Sequence, residues 1–182
     1  MTDLLATDLV RKQLLTDQLV LDVAYDIENM RRPEILAAYA GEIRADYYGR
    51  LAPKGVHGSV NLGRHTCAVS VMLPAIEALY DRIVDPRLTV RRFNVTAAHL
   101  FTPAQAQEAA PEYEQLCLFE DDQAAEKARA EAKNGEERER RMQAAIIDIR
   151  DKFGKNAILK GMNFEQGATT AERNRQVGGH RA

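Results

Sequence analysis

The sequence predicts an α+β domain: a split β-α-β sheet covered by two helices and lacking its first strand, followed by a linker and a helical tail. Three observations predict it. Residues 18–25, QLVLDVAY, alternate apolar and polar positions at period two, as a strand with one buried face does. Met72, Ile76, Leu79, Tyr80 and Ile83 recur at helical spacing. The periodic segments of residues 1–102 follow one another as helix, strand, strand, helix, strand, the split β-α-β order without its first member.

Taken in order, Leu4, Leu5 and Leu9 suit one face of a short helix that closes before Thr16 and Asp17. In the strand over 18–25, Leu19, Leu21, Val23 and Tyr25 share one face and Asp22 the other. Residues 26–58 carry Pro33, Gly41, Gly49, Pro53 and Gly55 and read as an elaborated connection, with a helical turn or two in PEILAAYA. A second strand fits 58–66. Ser70 is placed to cap the following helix, where Pro74 falls near the first turn and Asp85-Pro86 marks the end. Residues 88–99, LTVRRFNVTAAH, supply a third strand rich in Val, Thr and Phe.

Beyond residue 102 the composition changes. Residues 103–120 hold PAQAQEAAPEYE, an aperiodic run with two prolines that reads as an extended linker, and then EQLCLF. Residues 121–182 form a charged helical and basic tail. Its run to Arg141 is almost purely charged and Ala-rich, a solvated helix or a disordered segment. Asn134 with Glu137 resembles a capping box opening a helix whose stripe is Met142, Ile146, Ile149 and Phe153, ended by Gly154. Such a stripe, over residues 136–153, either packs back on the sheet or binds a repair partner. Lys152, Lys155, Lys160, Arg173, Arg175 and Arg181 make the end basic.

With 25 Lys+Arg against 27 Asp+Glu, the net charge of −2 leaves the decision on nucleic acid to charge distribution. Cys67 and Cys117, the two cysteines, stand in unrelated contexts; that argues for a reducing, cytoplasmic setting over a disulfide framework. No apolar run approaches membrane-spanning length, so no membrane partner is expected.

With both helices on one sheet face, the other is open to a partner. Its candidate residues are Ser59, Asn61, Arg64 and Thr66 on one strand and Arg91, Arg92, Asn94 and Thr96 on another. Arginines with short hydroxyl and amide side chains suit phosphate contacts, though a merely solvated sheet face has the same composition. Other constellations are poorer. His57, His65, Cys67 and His99 match no compact zinc spacing. Asp22, Asp26, Glu28 and Asp46 read as solvated turn residues rather than a catalytic cluster. Gly161, Gly178 and Gly179 lack the strand and helix of a phosphate loop. No metal site, cofactor or catalytic residue is expected.

Several segments together resemble one family: TDQLVLDVAYDIENM, HGSVNLGRHT, LYDRIVDPRLTVRRFNVTAAHL, EQLCLF, KFGKNAILKGMNF and NRQVGGH. In this order they are similar to the C-terminal half of Y-family translesion DNA polymerases of the ImpB/MucB/SamB type. The resemblance implies a little-finger domain that follows the DNA backbone, and a tail that recruits the replication machinery. It implies a parent enzyme whose palm, with its Mg2+ ligands, and whose first little-finger strand precede Met1. That strand is expected in the middle of the sheet, between the strands at 58–66 and 88–99. The family's QL-x-LF pattern falls on Gln115, Leu116, Leu118 and Phe119, with Cys117 at the permissive position. It implies docking in the hydrophobic groove of a bacterial sliding clamp. Two classes of function follow: the DNA- and clamp-binding part of a damage-bypass polymerase, or a stand-alone non-catalytic protein that occupies clamp or DNA.

Overall fold

The computed structural model describes residues 1–45, 48–108, 122–177 and 180–181. Helix α1 (Thr2–Lys12) ends on Gln13, whose backbone turns left-handed. Strand β1 (Leu15–Tyr25) follows, then a 3-10 turn over Ile27–Arg31 and α2 (Pro33–Ala38). A short hairpin pairs β2 (Ile43–Ala45) with β3 (Leu51–Pro53). The chain continues through β4 (Val56–Thr66), α3 (Val69–Ile83) and β5 (Val90–Phe101). Beyond these lie α4 (Pro103–Glu108), the 32-residue α5 (Asp122–Phe153), a 3-10 turn over Gly161–Phe164, α6 (Thr170–Arg173) and a small pair β6 (Gln176–Val177) and β7 (His180–Arg181).

The main sheet is antiparallel with order β4-β1-β5. Its core lies on one side, where Leu19, Leu21, Val23 and Tyr25 of β1 meet Ala6 and Leu9 of α1 and Met72, Ile76 and Leu79 of α3. Gly58 opposes Leu21 on this inner side. A Cβ there would come within 3.1 Å of Leu79, so glycine lets α3 lie close on β4. The α+β class with a small antiparallel sheet is therefore observed.

The expected vacancy in the middle of the sheet is not. The strand at 15–25 itself lies between the strands at 56–66 and 90–101 and pairs with both. Any additional strand can join only at the outer edge of β4 or β5. The physical reason is register: β1, whose alternation buries Leu19, Leu21, Val23 and Tyr25, satisfies both rows of its backbone groups by taking the centre.

Buried polar groups tie the connections down. Asn29, 1% exposed, donates through Nδ2 to the carbonyls of Asp26 and Thr89 and accepts from the Thr89 amide, so the 3-10 turn is clipped to the start of β5. Asp26 accepts from the Glu28 amide, the turn role expected of it, and Glu28 pairs with Arg31. Arg87 forks onto both oxygens of Asp85 and holds that carboxyl down at about 2.

Two sequence expectations are revised locally. Ser70 is not the N-cap of α3; Ala68 is, and its methyl group accepts no capping hydrogen bond. The supposed capping box at Asn134 and Glu137 lies inside α5, because an Ala-, Glu-, Lys- and Arg-rich run propagates helix through Asn134 and Gly135. Gly154 does end α5, its amide closing on the Arg150 carbonyl. At the start of the expected extended linker, Thr102 and Gln105 form a reciprocal capping box that opens α4 with Pro103 in the first turn.

Leu19→Ala, at a position with no exposure, is expected to lower stability by about 2–5 kcal/mol, whereas Val20→Ala on the opposite face of the same strand costs under about 1 kcal/mol. Urea denaturation followed by circular dichroism measures both; equal losses would reject the one-sided core.

Candidate nucleic-acid interface

The period of two that sends four β1 residues into the core sends Gln18, Val20, Asp22 and Ala24 to the other side. Register extends this row onto the neighbours. Val20 lies opposite Ser59 and Thr96, Asp22 opposite His57 and Asn94, Gln18 opposite Asn61 and Ala98, and Ala24 opposite Arg92. Ser59, Asn61, Arg92, Asn94 and Thr96, all exposed, therefore share one open face. Gln18 donates to Asn61 across the β1–β4 pair at 2.9 Å.

Two predicted contacts do not belong to this face. Thr66 is 2% exposed; its hydroxyl bonds Glu136 of α5 at 2.5 Å and accepts from the Ala68 amide. Arg64 and Thr66 stand three and five residues beyond Asn61, odd steps that strict alternation would not place on one face with Ser59 and Asn61, and between Asn61 and Thr66 the β1 register slips and Gly63 takes a φ of +72°. Arg64 stands in this bulge and pairs with Glu136 at 2.9 Å. Gly63 is open to solvent and needs its glycine for the backbone alone.

Charge is not spread evenly over the open face. Asp22 sits near its centre and repels phosphate there. Positive charge gathers at the Ala24–Arg92 end, where a groove of about 730 Å³ is lined by Arg44, Arg50, Lys54, Arg91 and Arg92 together with Tyr48 and Ala24. Arg91 and Arg92 are exposed. Glu42 meets Arg44 at 2.6 Å and Lys54 at 2.8 Å, and the bonds from Lys54 and then Arg44 hold its carboxyl below the usual range. Arg50 lies 5.1 Å over the Tyr48 ring. The hairpin thus adds three cations to the two foreseen from β5. Its signal in the sequence is IRADYYGRLAPK, basic residues spaced around a Tyr-Tyr-Gly turn, but strands of three residues are too short for alternation to reveal.

The other candidates are dispersed. His57 lies on the open face; His65 packs against Phe101 with ring centres 4.3 Å apart; His99 faces Asp17 at 3.1 Å. Cys67 is buried, and burial pushes its thiol up. Among the described residues no group of three His, Cys, Asp or Glu side chains is placed to hold a metal ion. No described helix is long and apolar enough to cross a membrane. Asp46, Gly178 and Gly179 lie outside the described residues, as do the clamp-motif residues Gln115, Leu116, Leu118 and Phe119.

The tail's helix does pack on the sheet domain, though of its apolar stripe only Ile146 is even half-buried. Gln143 and Ile147 are buried, Glu136 and Glu139 reach β4 and α3, and Asp151 pairs with Arg11. Met142, Ile149 and Phe153 remain exposed.

No family model, curated protein or solved structure matches the chain.

Proposed function

We propose that the chain is the DNA-binding and clamp-docking C-terminal part of a translesion DNA polymerase of the Y family, its residues 1–102 acting as a little finger. The observation that carries this reading is the one-sided sheet whose open polar face runs into a groove of five basic side chains. A strip of short hydroxyl and amide groups lets a phosphate backbone approach, and the arginines and lysine at its end replace condensed counterions. The contacts proposed are to phosphates, so affinity is expected to be independent of sequence. The reading assigns these residues no catalytic step: they hold DNA, and the QLCLF peptide holds the clamp, for a palm that carries the chemistry.

The clamp half of the proposal rests on residues 115–119 as a sequence. Two leucines and a phenylalanine between a Pro/Ala/Gln-rich run and a charged run form apolar anchors of the kind that carry a peptide interface.

Two measurements test the proposal. Binding to a short duplex is expected to be weak and steeply salt-dependent, and Arg91→Ala and Arg92→Ala are each expected to reduce the slope of log affinity against log salt by roughly one. A salt-insensitive or strongly sequence-selective interaction contradicts it. Calorimetry against a purified bacterial sliding clamp is expected to detect binding that Leu118→Ala with Phe119→Ala removes, by about 2 kcal/mol or more. Undiminished affinity in that double variant rejects the clamp motif.

A further inference from the structure

Helix α5 places two carboxylates where a phosphate would otherwise find partners. Glu136 accepts from Arg64 at 2.9 Å through one oxygen and from the Thr66 hydroxyl at 2.5 Å through the other. One turn on, Glu139 accepts from the Val69 amide at 2.6 Å, more distantly from the Ser70 amide, and from the Ser70 hydroxyl at 2.6 Å. Gln143, 8% exposed, steadies Glu139 from the next turn at 3.1 Å, while its own Oε1 is buried without a partner. Arg64 follows Ser59 and Asn61 along β4 and, of the predicted phosphate-contact arginines, is the one paired with an acid among the described residues. Its side chain is 49% exposed even so.

We propose that the Glu136–Glu139 turn of α5 is a built-in competitor for nucleic-acid phosphate, holding Arg64 in the free protein and yielding it when duplex DNA lies along β4. This rests on the DNA-binding reading above. The exchange is energetically easy. The guanidinium of this pair is half-exposed and so screened by solvent, and a phosphodiester replaces its carboxylate with another charge-assisted acceptor while releasing a counterion. Ile147 and the Arg11–Asp151 and Lys160–Asp3 pairs attach the chain nearer the C-terminal end of the helix or beyond it. Glu136 and Glu139 join this part of the helix to β4 and to the start of α3. The device keeps the DNA surface partly neutralised until a polyanion displaces it.

The full chain carrying Glu136→Gln with Glu139→Gln is expected to bind a short duplex roughly three- to tenfold more tightly at low salt, and Arg64→Ala in that background is expected to abolish the gain. Glu131→Gln with Asp148→Asn, two exposed α5 acids, removes the same charge elsewhere on the helix. An equal gain in this control, or a gain that survives Arg64→Ala, overturns the proposal. Amide hydrogen exchange of the unmutated chain gives a second readout: saturation with duplex is expected to lower protection at Val69, Ser70 and residues 136–143. Duplex binding that leaves this protection unchanged overturns the competitor and leaves the DNA reading standing. Absence of duplex binding by the parent and every variant overturns both.

Discussion

The central position of β1 is the constraint on which the rest of the structure depends. A strand has two faces and two edges, and β1 uses all four. Its edges pair with β4 and β5, its inner face closes the core beneath α1 and α3, and its outer face is left to a partner or to water. Because the period is two, the apolar residues that stabilise the fold dictate which residues face outward. Gln18, Val20, Asp22 and Ala24 fall there as a consequence of Leu19, Leu21, Val23 and Tyr25 falling inward. The register then brings Ser59, Asn61, Arg92, Asn94 and Thr96 alongside. Stability and the candidate interface are two consequences of one alternation.

That alternation is why much of the domain was legible in the sequence. Strand β1, the helix over 69–83, the turn role of Asp26 and the end of α5 at Gly154 all follow from local periodicity or capping chemistry. What was not legible depends on contacts distant along the chain. Thr66 was grouped with Ser59 and Asn61, though it stands an odd five residues beyond Asn61, and its burial against Glu136 is a contact 70 residues away that no local pattern announces. Ser70 looks like a cap, yet the α3 amides are met by Glu139, 69 residues away from Ser70. The strand order required knowing that β1 pairs on both sides, and sequence order alone placed an absent strand there instead. The hairpin cations Arg44, Arg50 and Lys54 were missed because β2 and β3 are each three residues long.

Electrostatics divides the molecule into an end that can meet a polyanion and an end held by its own acids. At the Ala24–Arg92 end the groove carries five basic side chains, with Glu42 bridging two of them. At the Arg64 end, α5 brings Glu136 and Glu139 against the domain. The open face between them contains a carboxylate, Asp22, so attraction comes chiefly from the Ala24–Arg92 end. A duplex lying along it would gain most of its affinity from a few partly screened contacts. Weak, salt-sensitive binding of that kind suits a domain that follows DNA without stopping on a sequence, provided that something else supplies residence time. The QLCLF peptide supplies it in the proposed function, since two modest attachments on one chain raise each other's effective concentration.

Retention on DNA bearing a loaded sliding clamp therefore tests the account most directly. Circular duplex with and without a loaded clamp is presented to the chain at a salt concentration just sufficient to release it from bare DNA, and the bound fraction is measured. The account predicts retention on the clamp-bearing circles, exceeding by about tenfold or more what the clamp alone holds in the absence of DNA. Retention equal to that on free clamp would contradict it, because the open sheet face and its basic groove would then contribute nothing to holding DNA.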